Sequence, residues 1–288
     1  MKKLIFLATF SMFLVLVSIN VSGHEEPAKT RLEQKEKQKE AKRISKQCLK
    51  SSLAYKQRVS AGHETGEKYL YLKTDYNCRG FMDSITLFDS TGKIDTKVVY
   101  SYDCQQNMIG DADYDGDGKL IEKIEYHYFE DGRLKGATGY EGEKADSRFE
   151  YRLDKPGKLV EFTKFIGADS IEYKIDYRYK GNPDKSIITE IYKYVPAKDT
   201  LMSVKYVLSS SGKVNEKQIF GGDHKMLYKF KYQYDKKGNR SEISKIMPDG
   251  GIGFIQKFEY DGRQNMLLQN ISYPADGTEV KITYEYLF

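Results

Sequence analysis

The 288-residue chain has no tryptophan, 6 prolines and 3 cysteines. Three thiols allow one internal disulfide at most, so a disulfide-stapled scaffold is excluded. There is no nucleophile elbow, phosphate loop, paired zinc ligands or dinucleotide fingerprint. The histidines, His24, His63, His127 and His224, are scattered and give no base for a nucleophile. No catalytic residue is assigned, and the chain is expected not to be an enzyme. Acidic residues are plentiful, but none is singled out as half of a glycosidase pair, so a glycan-hydrolysing protein stays as an alternative. Neither charge dominates: 47 basic against 42 acidic residues leave +5, interspersed beyond the N-terminal region. That balance gives nucleic acid no footprint.

What is present begins with an export signature. Met1-Lys2-Lys3 precedes an apolar run from Leu4 to Ile19 that ends near Ser22 and Gly23, then polar His24-Glu25-Glu26. Residues 1–23 therefore read as a cleavable signal peptide, short for a membrane span. No cysteine lies beside the expected cut, and Cys48 is too far downstream for a lipoprotein anchor. The mature chain is expected in the periplasm, on the envelope or outside the cell, and not as an integral membrane protein. Residues 24–57 form a charged segment with a capping box at Thr30/Glu33 and a Glu33/Lys37 pair, expected as a helix or spacer. Ile44, Cys48 and Leu53 are its docking residues. The segment could serve as a basic arm for an anionic surface or simply as a solvated helix.

Residues 58–288 repeat. Residues preceding successive turns run Tyr76, Tyr102, Tyr128, Leu153, Tyr179, Leu208, Tyr234, Tyr260, Tyr286, with steps of 26, 26, 25, 26, 29, 26, 26 and 26. Most close an aromatic pair spaced by two, and a second turn signal such as Asp89-Ser90-Thr91-Gly92 or Pro248-Asp249-Gly250 falls midway. Each unit is a β-hairpin by these signals. The composition agrees: 24 Tyr and 14 Phe favour strands, and 24 Gly punctuate turns. Alternation is cleanest where Thr278, Val280, Ile282, Tyr284 and Tyr286 face away from Glu279, Lys281, Thr283 and Glu285. The expected fold is all-β: a long antiparallel hairpin meander of about seventeen strands, curled to bury its aromatic face, after a signal peptide and a short charged helix.

Two constellations invite a site. Asp113, Asp115 and Asp117 match the first positions of a calcium loop, although the twelfth position is Ile124 rather than Glu and Asp-Gly also serves ordinary hairpins. The ladder of Tyr126, Tyr128, Tyr177, Tyr179, Tyr232, Tyr234, Tyr284 and Tyr286 could stack against a sugar or form the core. Cys78 and Cys104 occupy equivalent places one unit apart. Their turns are about 9.6 Å apart across two strands, beyond the about 7 Å that a disulfide tolerates. A bond between them needs local bending; Cys48 with Cys78 and three free thiols remain open.

Tyr232-Gln233-Tyr234-Asp235-Lys236-Lys237-Gly238-Asn239 and Phe258-Glu259-Tyr260-Asp261-Gly262 resemble YD repeats of the Rhs-type family over residues about 70–288. The resemblance implies a curling β-sheet and an exported setting. The unit here is longer than the usual YD repeat, Asp is missing after Tyr128, Tyr179 and Leu208, and the chain is too short for a large shell. The expected role is a binding or scaffold module for a protein or glycan of the envelope, with a purely structural component as a further alternative.

Overall fold

The computed structural model describes residues 31–288 apart from 61–62, 156–157, 168–169, 181–186, 195–198 and 212. The expected signal peptide and Thr30 lie outside the described residues. Among the described residues one helix, α1 (Arg31–Lys46), precedes eighteen strands. The first nine are β1 (Ser51–Ser60), β2 (His63–Tyr76), β3 (Met82–Phe88), β4 (Ile94–Tyr102), β5 (Met108–Asp115), β6 (Leu120–Tyr128), β7 (Leu134–Glu141), β8 (Lys144–Leu153) and β9 (Leu159–Ile166). The rest are β10 (Ser170–Lys180), β11 (Ile187–Tyr194), β12 (Asp199–Leu208), β13 (Val214–Gly221), β14 (Met226–Tyr234), β15 (Arg240–Ile246), β16 (Ile252–Tyr260), β17 (Met266–Tyr273) and β18 (Thr278–Leu287).

The all-β antiparallel meander is observed, with one strand more than the repeat count suggests. Ser51–Ser60, assigned to the charged arm by sequence, is strand β1, so a boundary at residue 57 would cut a strand. Its signal is weak because Lys56 and Arg58 share a face with Ala54, and no apolar alternation emerges. Backbone pairing holds it instead. β1 runs antiparallel to β2 and, in an unbroken ten-residue register from Ser51↔Leu287 to Ser60↔Thr278, to β18. Every other strand pairs with its two neighbours in sequence, so the ladder closes into a ring.

The inner and outer faces follow from burial. On β14, Phe230 and Tyr232 are buried while Lys231 and Gln233 are exposed; on β18, Ile282 is buried while Glu279 and Glu285 are exposed. Around the ring Ile85, Ile219, Phe230 and Ile243 are each only 1% exposed, an enclosure that a convex wall cannot give to side chains that fan outward. The aromatic face is therefore the concave one. Its residues form two layers, one over β6 to β16 and one from β16 through the β18–β1 junction to β6, which share Tyr126 and Phe254. Rings within a layer touch, as in Phe149–Phe162 at 5.9 Å and edge-on Tyr228–Phe230 at 5.5 Å.

Helix α1 lies across the turns on either side of the junction. Arg43 donates to the Arg263 carbonyl at 3.0 Å and to Asn265 Oδ1 at 2.7 Å, in the β16–β17 turn. Ser45 donates to the Cys78 carbonyl at 3.0 Å in the β2–β3 turn. There the backbones meet so closely that a Cβ on Gly80 would lie 2.0 Å from the Ala41 carbonyl oxygen. Ala41, Ile44 and Leu49 are buried under this contact, whereas Cys48 is exposed and does not dock. The reason is local: Cys48 has φ +54, the left-handed conformation that ends the helix and turns its side chain outward.

Candidate functional site

The tyrosine ladder is tied to the backbone. Tyr102, Tyr128, Tyr179, Tyr234, Tyr260 and Tyr286 donate their hydroxyls to the carbonyls of Met82, Met108, Leu159, Val214, Arg240 and Met266, each twenty residues upstream, at 2.6–2.9 Å. The cause lies in the ladder. Between β5 and β6, for example, paired residues stop at Gly110↔Glu125, and Met108 instead faces Tyr102 across a bulge. The Tyr128 hydroxyl completes what the strand leaves open. Burial raises the Tyr128 and Tyr286 phenols above their ordinary range, so both remain protonated donors. The first residue of each pair lies deeper. Tyr232 is buried, Tyr126 and Tyr177 pack on the inner layer, and Tyr284, its phenol also raised by burial, donates to Gln269 Oε1 at 3.0 Å.

The aspartate after the Y-x-Y pair is a turn residue. Asp103, Asp235 and Asp261 each accept the backbone N–H four residues on at 2.8 Å, and each also bonds the side-chain amide of that Asn. The midway Asp-Gly turns work similarly. Asp115 Oδ1 accepts the N–H groups of Asp117 (3.1 Å) and Lys119 (2.8 Å), and Asp117 lies 3.8 Å from the Lys93 ammonium. Asp113 sits opposite Val98 and Glu122 on the inner face. Among the described residues no three His, Cys, Asp or Glu side chains are grouped to hold a metal ion. His127 lies on the outer face, 3.0 Å from the Thr138 hydroxyl. All three cysteines are free and exposed.

The pattern breaks at Phe129. Where four other units place Asp103, Asp154, Asp235 and Asp261, the chain after Tyr128 has an aromatic ring that is 43% exposed. Backbone bonds from Phe129 N to the Arg133 carbonyl (2.8 Å) and from Gly132 N to the Phe129 carbonyl (2.9 Å) hold the turn without an aspartate. The ring opens onto an outer groove of about 390 Å³ lined also by Arg133, Glu150, Arg152, Glu161 and Thr163. Arg133 and Lys135 lie 5.8 and 5.9 Å from the ring centre. Its ion pairs, Arg133–Asp131 at 2.6 Å and Arg152–Glu161 at 3.3 Å, are part-exposed. Sequence reasoning noted the missing aspartate but drew no site from it. The replacement of a turn residue by an exposed Phe was the available signal.

No family model matches the chain, and no curated protein resembles it in sequence. Among solved structures, a porin-like protein from Bacteroides uniformis aligns over 83% of this chain and 96% of its own at 9% identity, with a TM-score of 0.46. A second porin-like protein, from Bacteroides vulgatus, covers 83% and 98% at 12% identity and a TM-score of 0.41. A LolA superfamily protein from Nitrosomonas europaea covers 86% and 91% at 8% identity and a TM-score of 0.23. Likeness of this order carries no argument about function.

Proposed function

We infer that the chain is an exported, non-enzymatic barrel of the cell envelope that holds a protein partner on its outer wall, at the groove around Phe129. The half-exposed Phe129 ring between two cations carries the reading. Aromatic and arginine side chains dominate binding energy at protein interfaces, and an exposed ring of this size is left open at a cost. The groove's ion pairs are worth about 0.2–1 kcal/mol each, so a partner can exchange them for its own carboxylates cheaply. The ladder tyrosines are engaged on backbone carbonyls and Asp103, Asp115, Asp235 and Asp261 on their own turns. The apolar leader and the likeness to Rhs-type repeats support an exported setting.

The outer wall also speaks against a membrane-spanning barrel. Lys97, Glu150, Arg152, Lys231, Lys257, Glu259 and Glu285 are exposed on it, and would face hydrocarbon at a cost of up to about 2–4 kcal/mol for each Lys or Arg and less for each Glu. No described helix is long and apolar enough to cross a membrane. The test is photo-crosslinking from position 129 in native envelopes, with Phe129→Ala as the pull-down control. A specific protein adduct, with capture lost in Phe129→Ala, is expected. No adduct, or equal capture by both forms, overturns the reading.

A further inference from the structure

The concave wall carries a second feature, independent of the outer groove. Eighteen strands about 4.8 Å apart and tilted by about 40° make a perimeter near 110 Å, wider than the ring that eight strands form. Acidic and basic side chains concentrate on different arcs of the inner face, with Lys56 and Arg58 of β1 and Lys164 of β9 between the two. β5 and β6 place Asp111, Asp113 and Glu122 there, opposite Tyr100, Val98 and, from β7, Glu141. Half a turn of the ring away, the inner residues of β13 and β15 include Lys217, Arg240 and Lys245. Each lies over a tyrosine ring: Lys217 over Tyr206 at 5.4 Å, Arg240 over Tyr232 at 5.1 Å and Lys245 over Tyr228 at 4.3 Å.

Beside this basic stretch sit two amides. Gln256 on β16 pairs with Ile243 and Ile271, and Gln269 on β17 pairs with Phe258 and Ile282, so both belong to the inner face one step apart. They are 1% and 2% exposed, yet Gln256 Oε1 and Gln269 Nε2 make no hydrogen bond among the described residues. A buried amide group without a partner costs about 1–3 kcal/mol, and the same layer uses Ile at the neighbouring positions 243, 271 and 282. One acceptor and one donor are thus retained side by side among aromatic faces.

We propose that the inner wall of β13–β17 binds an acidic saccharide. Sugar hydroxyls both donate and accept, which suits Gln269 Nε2 and Gln256 Oε1 once the covering rings turn aside. The C–H faces of a sugar stack on Phe254, Phe258 and Tyr228, and a carboxylate meets Lys245. An acyl chain would leave both amides orphaned, and a neutral sugar would make no use of the lysines. The acidic wall opposite repels the same anion and so confines it to the basic side.

Calorimetric titration of the full chain with hexagalacturonate and with maltohexaose tests this. The acidic oligomer is expected to bind, and Lys245→Gln to weaken it about tenfold, as loss of one charge-assisted bond would. Gln256→Leu is expected to abolish binding while the melting temperature holds or rises; Gln269→Leu, which also takes away the Tyr284 hydroxyl's acceptor, is expected to abolish binding with some loss of stability. Binding of neither oligomer, or equal binding of both, overturns the proposal. So does a melting temperature lowered by several degrees in Gln256→Leu, because that amide would then have a partner within the wall.

Discussion

Gly80→Ala separates the contact between α1 and the barrel from ordinary turn strain. Gly80 has φ +84, and an alanine there pays about 1–2 kcal/mol for the left-handed conformation. Its new methyl would also lie 2.0 Å from the Ala41 carbonyl oxygen and 2.8 Å from the Ser45 nitrogen, both backbone atoms that cannot rotate away. The helix must lift. Lifting exposes Ile44, now 6% accessible, whose burial is worth about 1.5–3 kcal/mol, and strains the Arg43 bonds to Arg263 and Asn265 at about 1 kcal/mol each. The total expected loss is about 4.5–7 kcal/mol. Gly92 is the matched control, with the same φ of +84 and nothing within 4 Å of its would-be Cβ, so Gly92→Ala should lose only the first term. Urea unfolding of both variants, with amide exchange of residues 31–46, reads the difference. Equal destabilisation within about 0.5 kcal/mol, or an α1 still protected in Gly80→Ala, would refute the docking described above.

Tyr128→Phe and Tyr286→Phe should each cost about 1–2 kcal/mol in urea unfolding, because the Met108 and Met266 carbonyls lose their partners, whereas Tyr273→Phe at an exposed ring should change little. The Asp89 carboxyl is held below its ordinary value by the Thr91 hydroxyl, and Asp276 by the Thr278 backbone N–H. Their folded values lie under the unfolded ones, so their contribution is complete above about pH 4 and is lost as pH falls through the depressed folded values. Melting temperature should drop towards pH 2, and less steeply in Asp89→Asn; identical profiles would count against this. With Asp115 committed to its own turn, calorimetric titration with millimolar calcium should give no heat, and heat that disappears in Asp115→Asn would reverse that assignment.

The hairpins were legible because their rules are local: two-residue alternation, aromatic pairs and Asp/Gly turns all act within one 26-residue unit. The closure was not. Ser51–Ser60 pairs with residues more than two hundred positions away, and a strand held by backbone bonds with Lys56 and Arg58 facing inward shows no pattern of its own. The purpose of the ladder was half legible. Regular spacing marked Tyr128 and Tyr286, but the upstream carbonyls they cap are set by bulges, which alternation does not reveal. The Phe129 groove joins the β6–β7 turn, β8 and β9 in space, and only the missing aspartate hinted at it.

A linear meander would end in two strands with unsatisfied backbone groups, open to addition by another chain. Pairing β1 with β18 removes both at once, which makes completion of the fold all-or-none. Hairpins can zip from nearby contacts, but the last ladder must bring together segments at opposite ends of the chain, a slow, high-separation event. Until then each molecule carries two sticky margins. The span between synthesis and ring completion is therefore when this protein is most exposed to self-association, and deleting β18 would prolong that state indefinitely.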